Sequence, residues 1–249
     1  MMSEVWAVDV TRDWAMACDV QQGFMRGLDR APIPLDHSAR CRQVHDLGGD
    51  CYDFTPLGHN RLALTIGDAS GKGLSAALKM ANVQSSLRTA AFFAENDVAG
   101  VVKAVNRQVC ASSLAQWYAT LFYGVFDGAT RTLRYTNAGH PPPMLVRRDS
   151  TVDWLETGGA PVGLLSDPGY EEGAVQLHPG DLLLAFTDGV TEAVNPAGEE
   201  WGVDGLRQAV TRCRGRSADD IVRAIFSSMD EFWQARLTDD ATVLVLRVP

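Results

Sequence analysis

The spacing of apolar and polar positions divides the chain into a leading helix and a long series of short strands and helices. Trp14, Cys18, Phe24, Met25 and Leu28 recur at helical spacing, with Asp13, Asp19, Gln21, Gln22 and Arg26 between them. This predicts one amphipathic helix from residue 1 to about residue 30. Ala31-Pro32-Ile33-Pro34 closes it, because proline lacks the N–H and the room that a continuing helix needs. Such a helix either packs on its own domain or offers a dimer or coiled-coil contact. The spacing alone leaves both open.

Beyond Pro34 the period shortens. Residues 52–57 and 61–66 are apolar runs parted by Gly58-His59-Asn60, a hairpin pattern. Residues 73–93 contain no proline and place Leu74, Leu78, Ala81, Ser85 and Leu87 around a long helix, and Asp97 is an N-cap for a second helix to about Ser112. Residues 119–126 and 132–136 flank the turn Asp127-Gly128-Ala129. Short strands are expected at 143–147, 152–155 and 173–177, then the turn His178-Pro179-Gly180-Asp181 and an apolar strand at 182–187. Helices at 203–212 and 217–233 precede a last buried strand at 241–248. Hairpins with one helix pair in the middle and another near the end make an α+β layered domain. No repeat or low-complexity linker follows Pro34, so the expected division is a helix over 1–34 and a domain over 35–249.

Composition narrows the function classes. With 249 residues, 46% of them apolar, the chain can bury a large core. A net charge of -9 and a pI near 5.0 argue against a nucleic-acid partner, which needs a basic face. No basic amphipathic run suggests a membrane surface. Five scattered cysteines without a C-x-x-C pair argue against a disulfide framework and a zinc–thiolate site. With no basic-then-apolar leader and no spanning run, a cytoplasmic protein is expected.

The stretch Gly67-Asp68-Ala69-Ser70-Gly71-Lys72-Gly73 invites two nucleotide readings. As a P-loop it is one residue short between the glycines and lacks Ser or Thr after Lys72. As a dinucleotide turn it has Arg88-Thr89-Ala90, still inside a helix, where a second strand ending in an acid belongs. Nucleotide binding therefore stays a minor alternative.

Carboxylates at strand ends form a better pattern. Asp50 follows Gly48-Gly49 and precedes a strand; Asp68 and Asp188 each follow an apolar strand; Asp239-Asp240 opens the last one. Each aspartate alone suits a turn or cap, but four sites sharing one context point to a common edge. Clustered carboxylates repel and cannot all ionise without cations. Oxygen ligands without nearby His or Cys favour Mg(II) or Mn(II), and the five dispersed histidines disfavour zinc.

The motifs GGDCYDF, IGDASGKG, NAGHPPPML, GAPVGLL, LLLAFTDGVTEA and DDATVLVLRV occur in an order that resembles SpoIIE/RsbU-type serine phosphatases of the metal-dependent protein phosphatase (PPM) superfamily. The resemblance runs from about Ala39 to Val248. It implies a four-layer α-β-β-α sandwich, two antiparallel sheets flanked by helix pairs. It also implies that Asp68 bridges two Mn(II) or Mg(II) ions with help from the Ala69 carbonyl. Asp50 would lie near the first ion, and Asp188 and Asp239 would hold the second. Asp240 is the less favoured neighbour, since consecutive strand residues face opposite ways. Two such ions, about 3.5–4 Å apart, activate water for in-line attack without a covalent phospho-enzyme. Some superfamily members carry a histidine just after the bridging aspartate; here Ala69-Ser70 stands there, which leaves the leaving-group proton to water, and Ser70 reads as a turn residue. Relatives often have Arg-Pro where this chain has Arg42-Gln43, and an aromatic where it has Cys51.

Three further residues are candidate substrate contacts. Arg42 is either a phosphate contact or a surface arginine. Asn137 and His140 lie in the loop Asn137-Ala138-Gly139-His140-Pro141-Pro142-Pro143, which is either near the substrate or a rigid connector. The resemblance implies a phosphoserine STAS-type anti-anti-sigma protein as substrate. Asp19-Val20-Gln21-Gln22 resembles the linker helices that join regulatory segments in that family, so residues 1–30 are expected to meet a regulator or a second copy. A catalytically silent phosphatase-like scaffold is the competing reading.

Overall fold

The computed structural model describes residues 2–25, 33–94, 97–112, 117–233 and 238–249, with side chains described from residue 10 onward. Helix α1 (Met2–Phe24) leads the chain. Arg26, Leu28 and the Ala31-Pro32 stop of the expected helix lie outside the described residues. Strands β1 (Asp36–Arg42), β2 (Cys51–Gly58) and β3 (Arg61–Ala69) follow, then helices α2 (Gly73–Phe93) and α3 (Val98–Ser112). Next come β4 (Ala119–Asp127), β5 (Thr132–Ala138), β6 (Met144–Val146), β7 (Val152–Trp154), β8 (Gly158–Gly159), β9 (Gly173–Gln176) and β10 (Leu182–Phe186). The chain closes with α4 (Asp188–Thr191), α5 (Gly202–Arg212), α6 (Ala218–Trp233) and β11 (Ala241–Arg247).

The strands form two sheets, one in the order β1-β11-β10-β6-β7 and one in the order β2-β3-β4-β5-β8, with β9 also paired to β5. The pairings are antiparallel except that of the two-residue β8 with β5. Alternation along the strands explains why sheets stack here. Leu62, Leu64 and Ile66 of β3, Phe122 and Phe126 of β4, Leu183 and Ala185 of β10, and Leu244 and Leu246 of β11 fill the space between the sheets. The intervening residues face outward onto helices: Ala63, Leu121 and Tyr123 onto α2 and α3, and Leu184, Phe186, Val243 and Val245 onto α5 and α6. Buried on both faces, these strands read in the sequence as unbroken apolar runs. Three cores between four layers make the α-β-β-α sandwich.

Three elements escape the sequence pattern, one of them the single-turn α4 that follows β10. Strand β1, Asp-His-Ser-Ala-Arg-Cys-Arg, has no apolar alternation and exists through its antiparallel ladder with β11. Strand β8 is two glycines with no side-chain signal. Strand β3 also runs to Ala69, so Asp68 is the penultimate residue of the strand rather than the residue after it. Gly71 and Gly73, with φ of +98° and +68°, turn the chain from β3 into α2 in a conformation that side chains resist.

Helix α1 docks by its C-terminal half. Arg88 and Gln84 of α2 donate to the Phe24 carbonyl at 2.7 and 3.1 Å, satisfying the end of the helix. Gln21, buried, donates to the Gly48 carbonyl at 2.7 Å and accepts from the Gly48 amide at 3.2 Å. Toward the N-terminus Val10, Met16 and Val20 are exposed. Among the described residues no helix is long and apolar enough to cross a membrane.

Candidate metal centre

Strand parity decides where the acidic side chains go. Asp50 and Asp68 share the parity of Phe54 and of Leu64, and Thr187 and Thr242 share that of Ala185 and Leu244. All four therefore continue the inter-sheet face past its apolar end, where β2, β3, β10 and β11 finish on one edge of the sandwich. The apolar core and the polar cluster are the same layer read at two heights.

Asp50 is the most enclosed acid, 1% exposed. Its Oδ2 accepts from Thr242 Oγ1 at 2.6 Å and Thr187 Oγ1 at 2.9 Å. Burial, then the Asp68 charge, pushes its pKa well above the usual carboxylate range against those hydroxyl donors. Asp68 is raised to about 7, first by burial and then by Asp188, Asp239 and Asp240, with Asp50 opposing. Asp188 is raised by burial and by Asp239, with the Gly189 amide and Lys72 opposing. The mutual repulsion shows that acids from four distant segments share one field.

The neighbouring acids Asp239 and Asp240 divide their work. Both oxygens of Asp240 are taken by backbone amides, Oδ1 from Val44 and Oδ2 from Gly49, each at 2.8 Å. Asp240 therefore ties down the Gly48-Gly49 loop that carries Asp50. Asp239 faces Lys72, whose Nζ lies 2.6 Å from Oδ2 and 2.7 Å from the Thr238 carbonyl. Close approach needs glycine at one further place: a Cβ on Gly189 would stand 2.0 Å from the Asp240 carbonyl oxygen. The Ala69 carbonyl borders the same loop, 3.0 Å from where a Gly49 Cβ would be. Ser70 Oγ accepts from the Tyr118 amide at 3.1 Å and is a turn residue, as expected.

The candidate substrate contacts have internal partners. Arg42 forms a bidentate pair with Asp230 of α6, Nη2 to Oδ2 at 2.9 Å, and lies over the Phe226 ring. A phosphate contact from Arg42 would have to break this pair. Asn137, buried, donates to the His140 and Leu155 carbonyls and accepts from the His140 amide at 2.8 Å. His140 is 3% exposed, with Nδ1 3.0 Å from Thr120 Oγ1. Burial pulls its pKa to about 3, the Phe186 carbonyl opposing, while Nε2 falls short of a hydrogen bond. Neutral His140 thus sits between β4 and β10 and braces the edge. Thr120, Thr187, Thr242, Gln21 and Lys72 are participants that sequence spacing did not single out. Thr187, Thr242 and Lys72 stand within a few residues of the aspartate motifs, whereas Thr120 and Gln21 have no such adjacency.

The donor set fits hard divalent cations: carboxylate and carbonyl oxygens, no thiolate aimed at the edge, and a charge density that a cation relieves. Cys51, beside Asp50, and Cys41, paired with Thr242 across β1 and β11, are thiols raised first by desolvation and then by Asp50, and so are no competing ligands. Among the described residues no three acidic, histidine or cysteine side chains form a finished cation cage. Asp239 is turned to Lys72 and Asp240 to the loop amides.

The family model described as Stage II sporulation protein E (SpoIIE) matches residues 58–249. Protein IcfG of Synechocystis sp. is 31% identical over 226 residues, covering 77% of this chain and 34% of that protein. Phosphoserine phosphatase RsbU of Bacillus subtilis is 28% identical over 242 residues, covering 96% of this chain and 71% of that protein. The chain thus spans about a third of the first relative and most of the second. The SiaA-PP2C domain of Pseudomonas aeruginosa superposes with a TM-score of 0.80 over 98% of each chain at 16% identity, a likeness of fold.

Proposed function

The chain belongs to the SpoIIE family of PP2C-type serine/threonine phosphatase domains, and from that premise we propose that it hydrolyses phosphoserine or phosphothreonine on a regulatory protein with two Mn(II) or Mg(II) ions. The observation that carries this reading is the convergence of Asp50, Asp68, Asp188 and Asp239, from segments far apart in sequence, on one edge of the sandwich. Asp68 would bridge the ions with the Ala69 carbonyl, Asp50 would serve the first, and Asp188 with Asp239 the second. Divalent cations supply Lewis-acid activation of water and neutralise phosphoryl oxygens.

The chain's own residues do the rest. Thr187, Thr242 and the Asp240-anchored loop hold Asp50. The brace of His140 and Thr120 keeps β4 in place beside Asp68. Lys72, half-exposed at the rim, balances the charge of Asp239. Activation of water by the cations would make transfer direct, without a covalent phospho-enzyme.

A STAS-type anti-anti-sigma protein phosphorylated on serine is the proposed substrate, within a cytoplasmic partner-switching pathway. The relative RsbU, named a phosphoserine phosphatase, supports this substrate class. Residues 1–34, which contain α1, are proposed as a regulatory segment for a second copy or a regulator, on the strength of the exposed Val10, Met16 and Val20. Deleting residues 1–30 tests that: unchanged mass in solution together with unchanged turnover would refute it. The main reading is tested by Mn(II)-dependent phosphate release from a phosphoserine STAS protein. Asp68→Asn and Asp188→Asn should each abolish it, and full activity in both would sink the proposal.

A further inference from the structure

Thr187 and Thr242 are fully buried, at 0% exposure, and both lie on the five-stranded sheet's side of the edge, whereas Asp50 immediately precedes β2 of the other sheet. Their hydroxyls form a directional relay. The Thr242 amide donates to Thr187 Oγ1 at 2.9 Å, and the Thr187 amide donates to the Thr242 carbonyl at 3.0 Å. A hydroxyl has a single proton. Because Thr187 Oγ1 is accepting from an amide, its proton points to Asp50 Oδ2, 2.9 Å away. Thr242 Oγ1 reaches the same Oδ2 at 2.6 Å. Two donors from one sheet therefore converge on a single oxygen of a carboxylate from the other, and Oδ1 carries no hydroxyl donor.

We propose that Thr187 and Thr242 are positioning residues for the metal centre, locking the Asp50 carboxylate by Oδ2 so that Oδ1 is presented toward Asp68 and the first cation. The inference rests on the divalent-cation reading above and deepens it. A carboxylate with a free χ2 would share both oxygens among whatever donors it met. This one is held in one orientation by groups that also weld β10 to β11. The same two threonines therefore set the height at which the sheets meet and the face that Asp50 turns to an ion. Losing an outer-shell partner of a metal-ligating group costs on the order of 10–100-fold in affinity.

The test is calorimetric titration of the full chain with Mn(II), using Thr187→Val, Thr242→Val, the corresponding serine variants and Asp50→Asn. Circular dichroism checks each fold, and if a valine variant does not fold the alanine variant replaces it. Each hydroxyl-deleted variant should bind Mn(II) about 10-fold or more weakly, and each serine variant within about threefold of wild type. Combined with Asp50→Asn, hydroxyl deletion should cost nothing further, because it acts through that carboxylate. Wild-type affinity in the folded hydroxyl-deleted variants, or an undiminished loss in the Asp50→Asn background, would overturn the proposal. Absence of Mn(II) binding by the wild type would overturn the metal reading itself, a distinct result.

Discussion

Lys72 Nζ and Asp239 Oδ2 stand 2.6 Å apart at the rim of the carboxylate cluster, so the turn that resembles a phosphate loop delivers its lysine to an acid. The ammonium holds the carboxylate that the second cation would need. Lys72→Met should therefore tighten Mn(II) binding at that position. Both side chains are about half-exposed, where such a pair contributes about 0–1 kcal/mol. The expected gain is accordingly no more than about fivefold, read from the weaker step of a Mn(II) titration. Weaker binding in the variant would instead make Lys72 a supporting residue.

Asp68, raised to about 7, makes stability depend on pH in a defined direction. In the folded chain without metal it holds its proton more tightly than in the unfolded chain, whose value is near 4. The stability it contributes is complete below pH ~4 and is lost as pH rises to about 7. Asp68→Asn removes this loss. In chelator, the variant should melt with the wild type near pH 4 and above it at pH 7.5, by at least about 1 kcal/mol or ~2–4 °C. His140 changes stability in the opposite sense below pH 6.5, but it is present in both proteins and cancels. Equal melting temperatures across the range would refute the repulsion argument.

Gly189→Ala should be costly where Gly169→Ala is silent. The new Cβ at 189 meets the Asp240 carbonyl oxygen at 2.0 Å, backbone that cannot step aside without moving Asp239, whereas nothing lies within 4 Å at 169. Urea unfolding should show a loss of about 1–3 kcal/mol at 189 and a change within about 0.5 kcal/mol at 169. Mn(II) affinity should fall only in the first.

His140→Ala leaves the half-buried Thr120 hydroxyl with a weaker set of partners, since its other contact, the Asp68 carbonyl, is at 3.5 Å. A destabilisation of about 1–3 kcal/mol follows from the unmade hydrogen bond, measurable by chemical denaturation. Because the imidazole is neutral across the working range, wild-type turnover should show no inflection that disappears in this variant. Such an inflection would give His140 an acid–base role.

Much of the architecture was legible in sequence because its causes are local. The apolar runs at 61–66 and 119–126, the Asp127-Gly128 turn and the helical spacing of 217–233 each act within a few residues, and each became the element expected. The aspartates were legible for the same reason, as acids where apolar runs stop. Strand β1 was not, since a polar heptapeptide becomes a strand only when the free edge of β11 supplies its hydrogen bonds. Nor was the partner of Arg42, because Asp230 lies 188 residues away.

The sequence by itself determined which residues are acidic, which runs are buried, and where turns must fall, because these depend on composition and short-range sterics. The tertiary structure alone decided what each acid does. Asp50 meets Thr187 and Thr242 across 137 and 192 residues, Asp240 spends both oxygens on loop amides, and Asp239 faces Lys72. Those roles depend on which strand ends arrive at the same edge, and that is set by the stacking of two sheets, whose contacts are non-local in the chain.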